Sequence, residues 1–188
     1  MISKKEKKRS ALLAAALELF ANQGFNGSST AQIAQRAGVA SGTLFFHFKS
    51  KEELIHALFR DVRKKIEVNV LEDPREEMPI RDQFLQTFSR LLFYFLENPK
   101  EFKFVELYHF SPFSERGYSD TGKSEALKNL LLLARKQQLI KDAPLLFLEA
   151  VAFGPIISLA KEHANHGTCV SEEIVRLTVE ACWDGLKK

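Results

Sequence analysis

"TAQIAQRAGVASGTLFFHFKSKEEL" spans residues 30–54, and its middle places Phe45, Phe46, His47 and Phe48 in a row behind Ser41-Gly42-Thr43. A core helix seldom gathers three large aromatics into four positions, so the reading turns on which rings face inward. Ser29 with Gln32 three residues on forms a capping box, followed by Ile33, Ala34 and Ala37 on one side of a short helix that Gly38 closes. Val39 and Ala40 make a turn, and Ser41 stands where it can cap a further helix reaching about Phe48. There Leu44 and Phe48 lie at i and i+4 and share a face with Ile33 and Val39, the expected core of a small head. Thr43, Phe46 and His47 project away, with Phe45 on the flank.

Two short helices joined through a glycine have the proportions of a helix-turn-helix. The outward rim would suit a DNA major groove. Short hydroxyl side chains at a helix start reach base edges, and an aromatic ring packs against a thymine methyl. His47 and Lys51 would donate to phosphate oxygens, and the next helix start at Ser50 offers free backbone N–H groups to the same anion. The plainer alternative, that Phe45 and Phe46 pack against the rest of the chain or a second subunit, stays open at this point.

Outward from this stretch, helical periodicity dominates. Leu12, Ala15, Ala16, Leu19 and Phe20 line one face of a first helix that Gly24 is expected to close, and Ser50 with Glu53 makes a second capping box. The helix it opens carries Leu54, Leu58, Val62 and Ile66 along one stripe. "LEDPREEMPI" interrupts the pattern, which places a boundary near Asp73 to Pro79 between a head, residues 1–72, and a body, residues 73–188. In the body, helices are expected over about 80–97, 100–110 and 125–138, with residues 111–124 a surface loop. A long helix capped by Asp142 and begun at Pro144 follows, bent near Gly154-Pro155, then a last one from Ser171 to about Leu186. The expected fold class is all-α.

Charge divides along the same line. Residues 1–65 hold 12 Lys/Arg against 5 Asp/Glu, whereas residues 66–188 hold 15 against 19, so the net +3 of the chain conceals a basic head. That polarity suits a polyanion-binding head, although a solvated surface also yields some imbalance. No apolar run reaches the roughly 18 to 20 residues of a membrane span, and "MISKKEKKRS" lacks a secretory leader's apolar stretch. A cytoplasmic protein is expected. Cys169 and Cys182 are too few for a disulfide framework and read as packing residues.

With these residues in view, "TAQIAQRAGVASGTLFFHFKSKEEL" resembles the DNA-binding signature of the TetR family, the tetracycline-repressor-like bacterial transcriptional regulators. The resemblance covers roughly residues 8–60 and rests on the helix-turn-helix, the G-T-L-aromatic-aromatic-His-Phe run and the S-K-E-E-L helix start, in order. It implies that Thr30, Ser41, Gly42 and Thr43 approach bases or nearby backbone, that Phe46 sits over base edges, and that His47 and Lys51 hold phosphates. Phe45 departs from the pattern, because members commonly carry a tyrosine there whose hydroxyl reaches a phosphate.

The resemblance also implies an effector pocket in the body, for which Phe84, Phe88, Phe95, Phe104 and Tyr108 are the candidate lining and an apolar or aromatic small molecule the candidate ligand. It further implies a homodimer through the last two helices, with Leu146, Ala150, Phe153, Ile157, Ile174, Leu177, Ala181 and Leu186 as the apolar face. The expectation is a dimeric repressor on a near-palindromic operator in double-stranded DNA. Its rivals are a regulator with no small-molecule effector and a helical enzyme or carrier.

Metal and cofactor chemistry find little support. Glu106 and His109 form only half of a di-iron pattern, lacking a second E-x-x-H, and a bend at Gly167 would scatter His163, His166 and Cys169. No nucleotide-binding or hydrolase motif occurs. The expectation is no cofactor, no metal and no catalytic site.

Overall fold

A computed structural model describes residues 3–71, 78–114 and 125–188. Residues 73–77 of the expected boundary and residues 115–124 of the expected loop therefore lie outside the described residues. Among those described, the chain forms nine α-helices and no strand: α1 Lys4–Gly27, α2 Thr30–Arg36, α3 Ser41–His47, α4 Lys51–Ile66, α5 Ile80–Glu97, α6 Pro99–His109, α7 Glu125–Lys136, α8 Leu145–His166 and α9 Glu172–Leu186. A π-helical turn, Glu67–Leu71, follows α4, and a 3-10 turn, Pro112–Ser114, follows α6. No helix of the described residues is long and apolar enough to cross a membrane.

By internal contacts the chain divides into two compact units, Met1–Lys64 with Lys103–Thr121, and Lys65–Phe102 with Gly122–Lys188. This division takes a different course from a single cut after residue 72. The reason lies in α6, whose later half carries two large rings into the first unit. Phe104 lies 6.3 Å from Phe20 and 6.1 Å from Phe25, and Tyr108 stacks on Phe59 at 3.8 Å while its hydroxyl meets His56 Nδ1 at 3.1 Å.

Local chemistry sets the helix ends of the first unit. Gly24 takes φ 70°, which only glycine adopts cheaply, but it kinks α1 instead of closing it. The chain resumes for another turn to Gly27, and Phe25 enters the core edge-on to Phe20 at 5.1 Å. The capping box of α2 is complete, with Gln32 N–H donating to Ser29 Oγ at 3.2 Å and Ser29 N–H to Gln32 Oε1 at 2.8 Å. At its other end Gly38, φ 67°, permits Gly38 N–H to reach Gln35 O and Val39 N–H to reach Ala34 O, each at 3.0 Å. This Schellman closure turns the chain sharply into α3. The cap of α3 is Ala40, not Ser41, which is the first helical residue, and no side chain caps the helix. In the box before α4, Glu53 N–H donates to Ser50 Oγ, but the return bond to the Glu53 carboxylate comes from Lys49 N–H at 2.7 Å.

The second unit is built on an aromatic seam. Ile80, Phe84, Phe88, Leu91, Leu92 and Phe95 recur at helical spacing along α5 and are buried. Phe84 stacks on Phe88 at 4.1 Å and tilts against Trp183 of α9 at 5.3 Å, while Phe88 meets Phe153 of α8 at 5.0 Å. Each such burial contributes roughly 1.5–3 kcal/mol against chain entropy. Asp142 does not cap α8; Pro144 occupies that position without a side-chain hydrogen bond, and the helix continues through Pro155 to a left-handed Gly167. Ser171 caps α9 as its sequence suggests.

Candidate nucleic-acid interface

The inner face of α3 matches its hydrophobic spacing. Leu44 and Ile33 are fully buried and Phe48 nearly so, whereas Val39 is only half-buried and Ala34 fills the inner position beside Ile33. The opposite face presents large apolar rings to solvent, with Phe45 51% and Phe46 71% exposed. Ser41 and Gly42 are exposed beside them, and Thr43, His47 and Thr30 are half-buried. Seven of the eight residues assigned to DNA therefore stand at α3 or at the entry of α2. Nothing crowds Gly42, where an added Cβ would meet no atom within 4 Å.

Lys51, the eighth, stands at the start of α4 and already has a partner. Its ammonium donates to the Phe25 carbonyl at the kinked end of α1, and partial burial lowers its pKa. A phosphate contact would have to share that proton donor or displace it. Burial also holds the His47 pKa below its ordinary value, and the charges of Lys5, Arg9 and Lys8 push it the same way.

Those cations belong to the start of α1, within the basic head. Lys5 Nζ lies 5.3 Å from the centroid of the Phe46 ring and the Arg9 guanidinium 5.5 Å from that of Phe48. Lys4, Lys5 and Lys8 border, with α3, an open depression of about 430 Å³ that reaches Gly42, Thr43 and His47. The signal was legible in principle, since Lys4 with Lys8 and Lys5 with Arg9 are i, i+4 pairs that share helix faces.

The other candidate sets fare differently. The five aromatics proposed to line one pocket do not come together: Phe84, Phe88 and Phe95 belong to the second unit, and Phe104 and Tyr108 to the first. All five are buried. On the last two helices, Leu146 is 77%, Ile174 39% and Leu177 51% exposed, Ala150 and Ala181 are exposed, and Ile157 is half-buried. Phe153 and Leu186 instead turn inward. The buried stripe of α8 runs through Leu148, Ala152, Ile156 and Ala160, so position 153 falls on its inner side and Gly154 on the outer one.

Among the described residues no group of three His, Cys, Asp or Glu could hold a metal ion. His163 Nδ1 pairs with Thr168 O at 2.8 Å, and His109 lies edge-on to Phe59 at 5.9 Å. Cys169 is exposed, contrary to a packing role, while Cys182 is buried and its thiol pushed up to about 11.

Comparison with known proteins gives concordant matches along the chain. Residues 12–58 match the profile of bacterial regulatory proteins of the tetR family, and residues 79–187 that of the tetracyclin repressor-like C-terminal domain. A crystal structure of a TetR family transcription regulator from Marinobacter aquaeolei is 26% identical with a TM-score of 0.88, covering 97% of this chain and 96% of that one. An HTH-type transcriptional regulator of Haemophilus influenzae is 25% identical over 175 residues, 90% of each chain. The fatty acid metabolism regulator protein of Bacillus subtilis is 29% identical over 89 residues, spanning 47% of this chain and 46% of that protein.

Proposed function

Because the chain belongs to the TetR family of DNA-binding transcriptional regulators, a non-enzymatic family, we propose that it is a dimeric repressor released from its operator by an apolar effector. The observation that carries the DNA-binding part is the two-sidedness of α3. One side is sealed into the core through Leu44 and Phe48, while Phe45 and Phe46 stand exposed, Phe46 with Lys5 over its ring. An isolated solvent-facing helix gains nothing from two such rings. A major groove gives them thymine methyls and base edges, with Ser41, Gly42 and Thr43 at the helix start and His47 and Lys51 on phosphates. Thr30 approaches the backbone from α2.

The outer face of α8 and α9 supports a second copy as partner. Leu146, Ala150, Ile157, Ile174, Leu177 and Ala181 make an apolar surface that a two-fold contact would bury. Two heads related by that axis enter successive major grooves roughly 34–36 Å apart, or a multiple of that distance. Effector binding in the body favours a head spacing that no longer fits, which requires the effector to prefer one state by a few kcal/mol. The aromatic seam of Phe84, Phe88 and Phe95 suits an apolar ligand, and the name of the Bacillus subtilis relative directs the first screen to fatty acyl compounds.

Selection of bound fragments from a random DNA pool tests the reading. The expected result is enrichment of one near-palindromic site, with fatty acyl compounds or other apolar effectors reversing binding and raising the melting temperature. Enrichment without any response to such ligands would leave a regulator governed by a protein partner or by its own abundance. No enrichment at all would sink the proposal.

A further inference from the structure

The start of α1 has a basic surface that the reading of α3 does not use. Residues 4–9 read Lys-Lys-Glu-Lys-Lys-Arg, five cations in six positions. The one acid among them is turned to the helix end, where Ser3 N–H donates to Glu6 Oε2 at 2.8 Å and Glu6 N–H to Ser3 Oγ at 3.1 Å. Its carboxylate is therefore committed to the capping box and not to a neighbouring lysine. Arg9 is committed as well, lying over the ring of the buried Phe48. Lys4, Lys5, Lys7 and Lys8 remain exposed, and of these Lys4, Lys5 and Lys8 border the depression beside α3, with Lys5 drawn over Phe46 at 5.3 Å.

These three lysines face α3 across the open depression of about 430 Å³. Three ammonium groups around one hollow repel each other, and two of them, Lys5 and Lys8, act with Arg9 to disfavour protonation of His47. The arrangement is relieved by an anion. Its shape says which kind: the hollow is open to solvent and its cations are exposed, so it lacks the walls and buried donors that hold a small free ion. It is also continuous with Gly42 and Thr43, the residues that approach the bases. A polyanion already engaged by α3 passes beside it.

We propose that Lys4, Lys5 and Lys8 form a second phosphate-binding strip, which grips the DNA backbone flanking the groove that α3 enters. The inference rests on the DNA-binding reading of α3 and enlarges its footprint by an element outside the helix-turn-helix. Because each phosphate neutralised releases counterions, the strip makes a measurable share of the salt dependence, about 0.9 in the slope of log affinity against log salt for each contact. Base preference is unaffected, since phosphates carry no direct sequence information.

The test uses the chain on its selected site, with the triple variant K4A/K5A/K8A, the triple variant K4R/K5R/K8R and the remote control Lys136→Ala on α7. The lysines are exposed and alanine favours helix, so an unchanged melting profile is expected throughout. The alanine triple should lose about two to three units of salt slope per head, and its hydroxyl-radical footprint should contract at the flanks, with the same preferred bases. The arginine triple and the control should keep both slope and footprint. A wild-type chain that binds selectively but shares its slope and footprint with the alanine triple overturns the strip and leaves the α3 reading standing. A wild-type chain with no selective binding overturns both.

Discussion

The outer rims of α3 and of α8 with α9 both expose large apolar side chains, yet their surroundings differ. Around Phe46 the neighbours are cations: Lys5 lies over the ring, Lys4 and Lys8 border the same depression, and the local carboxylate of Glu6 serves a helix cap. Around Leu177 both signs of charge are present, and Arg176 pairs with Glu180 at 3.0 Å along the same helix. Exposed apolar area alone does not specify a partner. The electrostatic frame does: the cationic rim suits a polyanion with apolar methyls in its groove, and the rim without a cationic cluster suits the second copy proposed above.

Placing a like charge on both helices of the α8 and α9 rim should have the largest effect. Leu146→Glu with Leu177→Glu is expected to give a monomer by sedimentation equilibrium and to weaken operator binding on the order of 10²- to 10⁴-fold through lost avidity. The inner side of α3 comes next. Leu44→Ala leaves a cavity in a small core and should cost about 2–5 kcal/mol of head stability in denaturant unfolding, with the dimer intact.

Phe46→Ala separates the two rims most cleanly. Oligomeric state and melting should hold, while discrimination at the contacted base pair falls by about 1–3 kcal/mol in competition binding. A uniform loss across all sequences would contradict the role given to that ring. The smallest effect concerns pH. In the free chain His47 has a pKa below its ordinary 6.5, and a phosphate would raise it, so the complex binds the proton more tightly than the free chain does. Operator affinity should therefore rise as pH falls from 8 to 6, by no more than about tenfold per pH unit for each head. His47→Ala should flatten the profile and remove about one unit of salt slope per head.

Much of this molecule is legible in its sequence, for identifiable reasons. The capping box at Ser29, the Ser50 hydroxyl before α4, glycine at position 38 and the spacing of Leu44 with Phe48 are local signals, and each locates a helix end or a face without knowledge of the rest. The less legible features depend on distant partners. Phe104 and Tyr108 read as pocket residues because α6 follows α5 in the body, but their rings pack with Phe20, Phe25 and Phe59, which periodicity within one helix does not reveal. Phe153 sits three residues after Ala150, a spacing that fits either side of a broad apolar helix, and contact with Phe88 decides the matter. The lysines of α1 were visible as charge; only the fold brings them beside Phe46 and His47.

The central claim is that the exposed rim of α3 reads base edges in the major groove. Methylation interference on the selected site tests it most directly, because guanine N7 lies in the major groove and adenine N3 in the minor. The account predicts interference at guanine N7 in two clusters about one helical turn, or a multiple of it, apart. Interference confined to adenine N3, or none at either position, would contradict it.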